Sequence, residues 1–229
     1  MNVFGSALLV VFFLAPQGTA RPAKTSYPGM QPVSRYLMQR DAEISLARSA
    51  APKSISDHAE VLILTQAGYQ RAVRGTNGFV CMVARSWSAD YDDPGFWDPK
   101  LRAPICYNAL AARSQVPATI KRTQVALTRG SKARILDAIK AAIQSGELPT
   151  AEAGSMAYML SRKTYLNYRA GHWLPHLMFF TPETDPQSWG AGPADSPVLG
   201  IRRPEEHLTV FLIPVSRWSD GTPAVSEGH

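Results

Sequence analysis

Gly171-His172-Trp173-Leu174-Pro175-His176-Leu177-Met178-Phe179-Phe180-Thr181-Pro182 is the stretch whose reading decides the fold. Its apolar run is bounded by Gly and Pro breaks, which marks a buried strand entered through a constrained turn. Pro175 argues strongly against a helix through the two histidines, because a proline inside a helix removes a hydrogen bond and clashes with the preceding turn. On a helix, His172 and His176 would stand about 6 Å apart and could share a metal. Along an extended strand the same spacing separates them by roughly 13 Å.

Around this segment the second half of the chain reads as β. Ser155-Met156-Ala157-Tyr158-Met159-Leu160-Ser161, Val198 to Ile201 and Leu208 to Val215 are further strand candidates. Before them, Ser131 can cap a helix whose Ile135, Ile139, Ala142 and Ile143 recur on one face, with Gly146 as its stop. Pro104 to Gln115 reads as a short helix, and Ala118 to Arg129 fits either a strand or a helix ending at Gly130. Phe79 to Val83 follows the Gly75, Asn77, Gly78 turn as a strand. Asp57 and Glu60 have capping-box spacing ahead of Val61 to Leu64, a run that suits a helix or a short strand. Helices grouped before a run of strands predict an α+β architecture: helices in the first half, packed on a mostly antiparallel sheet formed mainly by the C-terminal half.

The chain's beginning reads as a leader. Met1 to Ala20 carry no charged side chain, hold the apolar run Ala7 to Ala15, and end in Gly-Thr-Ala before Arg21. That is the layout of a signal peptide over 1–20, too short to span a bilayer. The division that follows is a flexible N-terminal arm or linker over 21–54, rich in Pro, Ser and Arg, a single α+β domain over 55–220, and a tail over 221–229. An exported protein, periplasmic or extracellular, is the expectation.

Formal net charge is +6, and the basic residues concentrate between Arg71 and Lys140, where they alternate with Ala and Thr. This pattern describes a solvated helical surface, with membrane-surface association through the basic middle as the functional rival. Nucleic acid is not expected, since the basic residues lack interleaved aromatics that would stack on bases. Cys81 and Cys106 are the only cysteines. In an exported chain they are expected to form a disulfide, worth about 3–4 kcal/mol on the chain-entropy model. The competing use is a nucleophile beside His172 or His176.

No hydrolase elbow, phosphate loop, dinucleotide fingerprint or zinc helix is present. His58-Ala59-Glu60 matches half of a zinc-deaminase signature, but Ala109 stands where the second cysteine is needed after Cys106. No cofactor and no metal is expected. His172, His176, Tyr158, Trp189 and Trp218 are the candidate ligand-binding residues, with Trp189 on the long Pro182–Pro197 connection. The functional expectation is a non-enzymatic protein that binds a small molecule or an envelope component. The alternative is a hydrolase-like or metal-assisted enzyme centred on His172 and His176.

Asn77-Gly78-Phe79-Val80-Cys81 with Arg85-Ser86-Trp87, Phe96-Trp97-Asp98-Pro99-Lys100, Pro104-Ile105-Cys106-Tyr107-Asn108, Gly171 to Phe179 and Trp218-Ser219-Asp220-Gly221 together resemble a group of exported bacterial proteins. The resemblance covers most of the chain after residue 56 and implies export from a bacterial cell without implying an activity.

Overall fold

A computed structural model describes residues 27–165 and 174–224. Eight strands form one sheet: β1 (Glu60–Thr65), β2 (Gly68–Val73), β3 (Val80–Ala84), β4 (Ala103–Tyr107), β5 (Met156–Met159), β6 (His176–Pro182), β7 (Leu199–Arg203) and β8 (Leu208–Pro214). Their order is β2-β1-β3-β4-β5-β6-β8-β7, antiparallel throughout except for the β1–β3 pair. With the helices α1 (Arg40–Arg48), α2 (Lys53–Ser56), α3 (Ala109–Leu127) and α4 (Lys132–Gln144), this is the α+β class the sequence predicts. No helix among the described residues is long and apolar enough to cross a membrane.

The sheet is apolar on both faces. Side chains alternate along each strand, so Leu62, Met82, Ile105, Met159 and Phe180 share one core cluster with Ala111 and Val116 of α3, while Val61, Cys81, Val83 and Cys106 pack in another with Leu46 and Ala47 of α1. Helix α4 lies against α3 and buries Ile135, Ile139 and Ala142 with Trp87 and Phe96. It follows the sequence reading closely: the Ser131 side chain accepts from Arg134 N, and Gly146 takes the left-handed conformation at φ 75°. Gly75 is required for a different reason, since a Cβ there would fall 2.1 Å from Glu60 N at the start of β1.

Two local expectations are corrected, and two that the sequence left open are resolved. Pro104–Tyr107 belongs to strand β4, and a long helix starts only at Ala109, after the Asn108 side chain accepts from Ala111 N. Pro104 is compatible with an interior strand because β5 pairs only with Cys106 and Tyr107, leaving Pro104 beyond the overlap. The ambiguous 118–129 stretch is the second half of α3, which continues through Pro117 and ends with Arg129 at φ 57°. The Asp57–Glu60 box does not start a helix: Asp57 ends α2, and Glu60 N donates to Phe79 O (2.8 Å) at the opening of the parallel ladder.

The second correction concerns the arm over 21–54. Its described part docks firmly, with Tyr36, Leu46, Ala47 and Ala50 buried. Tyr36 Oη donates to Trp97 O (2.9 Å), and the buried Glu43 carboxylate meets the buried Arg85 guanidinium at 2.8 Å. The anchor is a charge pair, so an apolar pattern could not announce it. Residues 1–20 lie outside the described residues. Of the tail over 221–229, residues 221–224 fold back: Ala224 N donates to Ser216 O (2.8 Å).

Cys81 and Cys106 stand opposite each other in the β3–β4 register and are bonded, both fully buried. The cysteine-nucleophile reading is thereby excluded. The bond closes a loop with a sequence separation of 25. Reduction, or the Cys81→Ala/Cys106→Ala variant, is expected to lower the unfolding free energy by about 3–4 kcal/mol. Urea denaturation with and without reductant measures this, and coincident curves would contradict it.

Candidate ligand pocket

The residues singled out in the sequence do not converge. His172 lies outside the described residues. His176 opens β6 opposite Met159, only 6% exposed, and its Nδ1 donates to Leu174 O (3.0 Å). By strand alternation it shares the α3 face with Met178 and Phe180. Tyr158 pairs with Leu177 on the other face, where its ring lies 6.3 Å from Phe79 beside the disulfide. Trp189, 41% exposed, lies flat over Phe211 at 4.2 Å and 5.9 Å from Phe179. It shields that side of β6 and β8. Trp218 closes the turn after β8, its backbone N–H donating to Thr222 O (2.9 Å). Among the described residues no three His, Cys, Asp or Glu side chains are grouped to hold a metal.

What the fold does enclose is a cavity of about 250 Å³ between the sheet and α3. Its floor includes Ala84, Ala103, Ile105, Met178 and Phe180, and its roof is one face of α3: Gln115, Ala118, Thr119 and Arg122. Those four positions follow the i, i+3, i+4, i+7 rule for a single helical face. Space survives because Ala84, Ala103 and Ala118 meet where larger side chains would close the gap. Interiors are otherwise packed with few voids.

The mouth is charged and internally balanced. Arg122, 3% exposed, pairs with Glu206, donates through Nη1 to Trp87 O (3.0 Å) and Ala89 O (3.1 Å), and places its Cζ 4.5 Å from the Tyr91 ring centroid. Arg203 Nη2 pairs with Asp90 at 2.8 Å. Burial pushes the Tyr91 and Tyr107 hydroxyls up to about 12, Tyr107 against the opposing hydrogen bond with Thr119, so both are neutral phenols at physiological pH. Among the described residues, Ser88 Oγ and Arg203 Nε, both on cavity-lining side chains, are buried without a hydrogen-bond partner. A buried donor left unpaired costs about 1–3 kcal/mol.

Sequence reasoning missed Arg122, Arg203, Glu206 and Ser88. Arg122 was expected on a solvated surface, yet it and Arg85 are internal, whereas Arg113 and Lys121 of the same basic stretch do face solvent, paired with Glu152 and Glu147. The available signal was that Arg122 falls on the Gln115, Ala118, Thr119 face, with Thr at the neighbouring positions 119 and 123.

No protein-family model, no curated protein and no solved structure matches this chain.

Burial lowers the His176 pKa below its ordinary 6.5, against the raising effect of the Leu174 carbonyl. The unfolded chain then binds a proton more readily than the folded one, so this contribution to stability is present above about pH 6.5 and is lost as pH falls below it. Urea midpoints measured from pH 7.5 to 5 are expected to decline for the natural chain and to decline less for His176→Gln. Parallel declines would contradict this assignment.

Proposed function

We propose that this chain is an exported, non-enzymatic binding protein whose ligand occupies the cavity between the sheet and α3. The observation that carries the reading is the pairing of an apolar floor with two buried, unpaired donors in a mouth whose arginines already have carboxylate partners. Balanced charge disfavours an ion as ligand, since an incoming carboxylate would have to displace Glu206 or Asp90. The chemistry that fits is a small, neutral, mostly apolar molecule with one acceptor oxygen, the oxygen meeting Ser88 Oγ and Arg203 Nε and the body lying on Ala103, Ile105 and Phe180. The volume is somewhat below the roughly 300–1,000 Å³ of sites for drug-sized ligands, which restricts the ligand to a single ring or a short chain. Export is supported by the leader-like Met1 to Ala20 and by the disulfide, a bond that persists in oxidising compartments.

Fluorine NMR with 4-fluorobenzamide and 4-fluorotoluene as probes tests the reading. Saturable broadening is expected for both, with the amide binding about tenfold more tightly because it alone offers an acceptor. Ala118→Phe, which fills the cavity from the roof, should abolish binding of both, and Ser88→Ala should narrow the difference between them. Absence of binding, or binding undiminished in Ala118→Phe, would overturn the proposal.

A further inference from the structure

A second pocket, about 780 Å³, opens on the opposite side of the sheet, where three distant parts of the chain meet. One wall is the face of α1 that carries Asp41, Ile44, Ser45 and Arg48, with the following α2. The second is Ser161–Lys163, just after β5, and the third is Ser219–Gly221. Backbone hydrogen bonds fix their meeting: Leu160 N donates to Ala50 O (2.9 Å) and Ser219 N to Leu160 O (2.9 Å). The Ser49 and Ser161 hydroxyls join at 2.7 Å, and Ser161 Oγ accepts from Lys163 N (3.1 Å). These contacts give the pocket a built wall on a side of the molecule away from the first cavity.

Four cations line it: Arg48, Lys53, Arg162 and Lys163. None of them makes an ion pair among the described residues. Arg48 Nε is moreover buried without a hydrogen-bond partner. The pocket's carboxylates include Asp41, which lies 3.4 Å from Arg40, and Asp220, which accepts from Thr222 N (2.9 Å) and Thr222 Oγ1 (2.6 Å). Asp57 is the third. Arg162 Nη1 donates to the same Thr222 Oγ1 (3.4 Å), and its charge acts on Asp220, whereas Arg48, Lys53 and Lys163 make no ion pair and no side-chain hydrogen bond among the described residues.

Arg48, Lys53 and Lys163, with Arg162 beside them, give the pocket more cations than its three carboxylates, which selects an anion, and arginine with lysine suits phosphate oxygens. The volume far exceeds one phosphate, and the remaining lining, rich in serine hydroxyls and carboxylates, offers partners to a polyol. We propose that this pocket binds a phosphate monoester of a polyol, with Arg48, Arg162 and Lys163 on the phosphate and the serines and Asp57 on the hydroxyls. The same chemistry arrives as a free sugar phosphate or as a phosphorylated inositol headgroup of a lipid.

Titration calorimetry of the full chain at low salt, with glucose 6-phosphate, dihexanoyl phosphatidylinositol 4-phosphate, glucose and inorganic phosphate as probes, tests this. At least one of the two esters should bind with a Kd at least tenfold below those of glucose and inorganic phosphate, and the tighter of the two identifies the source. Arg48→Gln and the double variant Arg162→Gln/Lys163→Gln should each weaken that binding at least tenfold, and Ala118→Phe should leave it unchanged. Residues 162 and 163 are exposed, so the double variant decides the matter if Arg48→Gln loses its melting transition. Esters that bind no better than inorganic phosphate, or a folded double variant with natural affinity, would overturn the proposal.

Discussion

The Glu43–Arg85 ion pair is the constraint on which the rest of this structure depends. Glu43 Oε1 accepts from Arg85 Nη2 (2.8 Å) and from Leu64 N (3.0 Å), so one carboxylate oxygen ties α1 to the end of β1 and to the residue after β3. Arg85 in turn donates through Nε to Tyr36 O (2.9 Å) and through Nη1 to Val83 O. Both side chains are essentially inaccessible to solvent. Taking two charges from water costs several kcal/mol each, so such a pair is weak evidence for net stability. Its consequence here is geometric. The N-terminal segment has one position on the sheet in which neither charge is stranded, and Arg85 held there becomes part of the wall of the first cavity.

The sheet then separates two chemistries. On the α3 side the floor is apolar, arginines are matched by carboxylates, and the vacant donors are few, which suits a neutral ligand. On the α1 side the disulfide and its aliphatic neighbours fill the interior, and beyond them lies a pocket whose cations outnumber their partners. Strand alternation explains how one set of strands serves both: Ala103, Ile105 and Tyr107 face the cavity while the intervening Cys106 faces the disulfide cluster.

Elements whose burial is apolar and periodic could be read from the sequence. Helix α4 has its cap, its stripe and its glycine stop, and β6 and β8 have unbroken apolar runs. The failures share a cause, which is that the deciding interaction was not apolar or not local. Pro104 suggested a helix start because its tolerance depends on where β5 stops pairing, a fact of the sheet. The docking of 27–54 was hidden because its anchor is Glu43, a residue type normally exposed. The conspicuous site candidates misled in another way. His176, Tyr158 and Trp189 fall on both faces of the sheet and serve its packing, whereas the cavity exists through small residues at 84, 103 and 118. Absent volume leaves no motif.

Amide hydrogen exchange on Glu43→Ala measures the central constraint most directly. Removing one partner of a buried pair strands the other and costs about 3–5 kcal/mol. The account expects faster exchange in α1, at the Leu64 amide and around residues 84–90, with the disulfide-paired centre of β3 and β4 and the α4 helix keeping the most protection. Unchanged exchange in α1 and at Leu64 would contradict it.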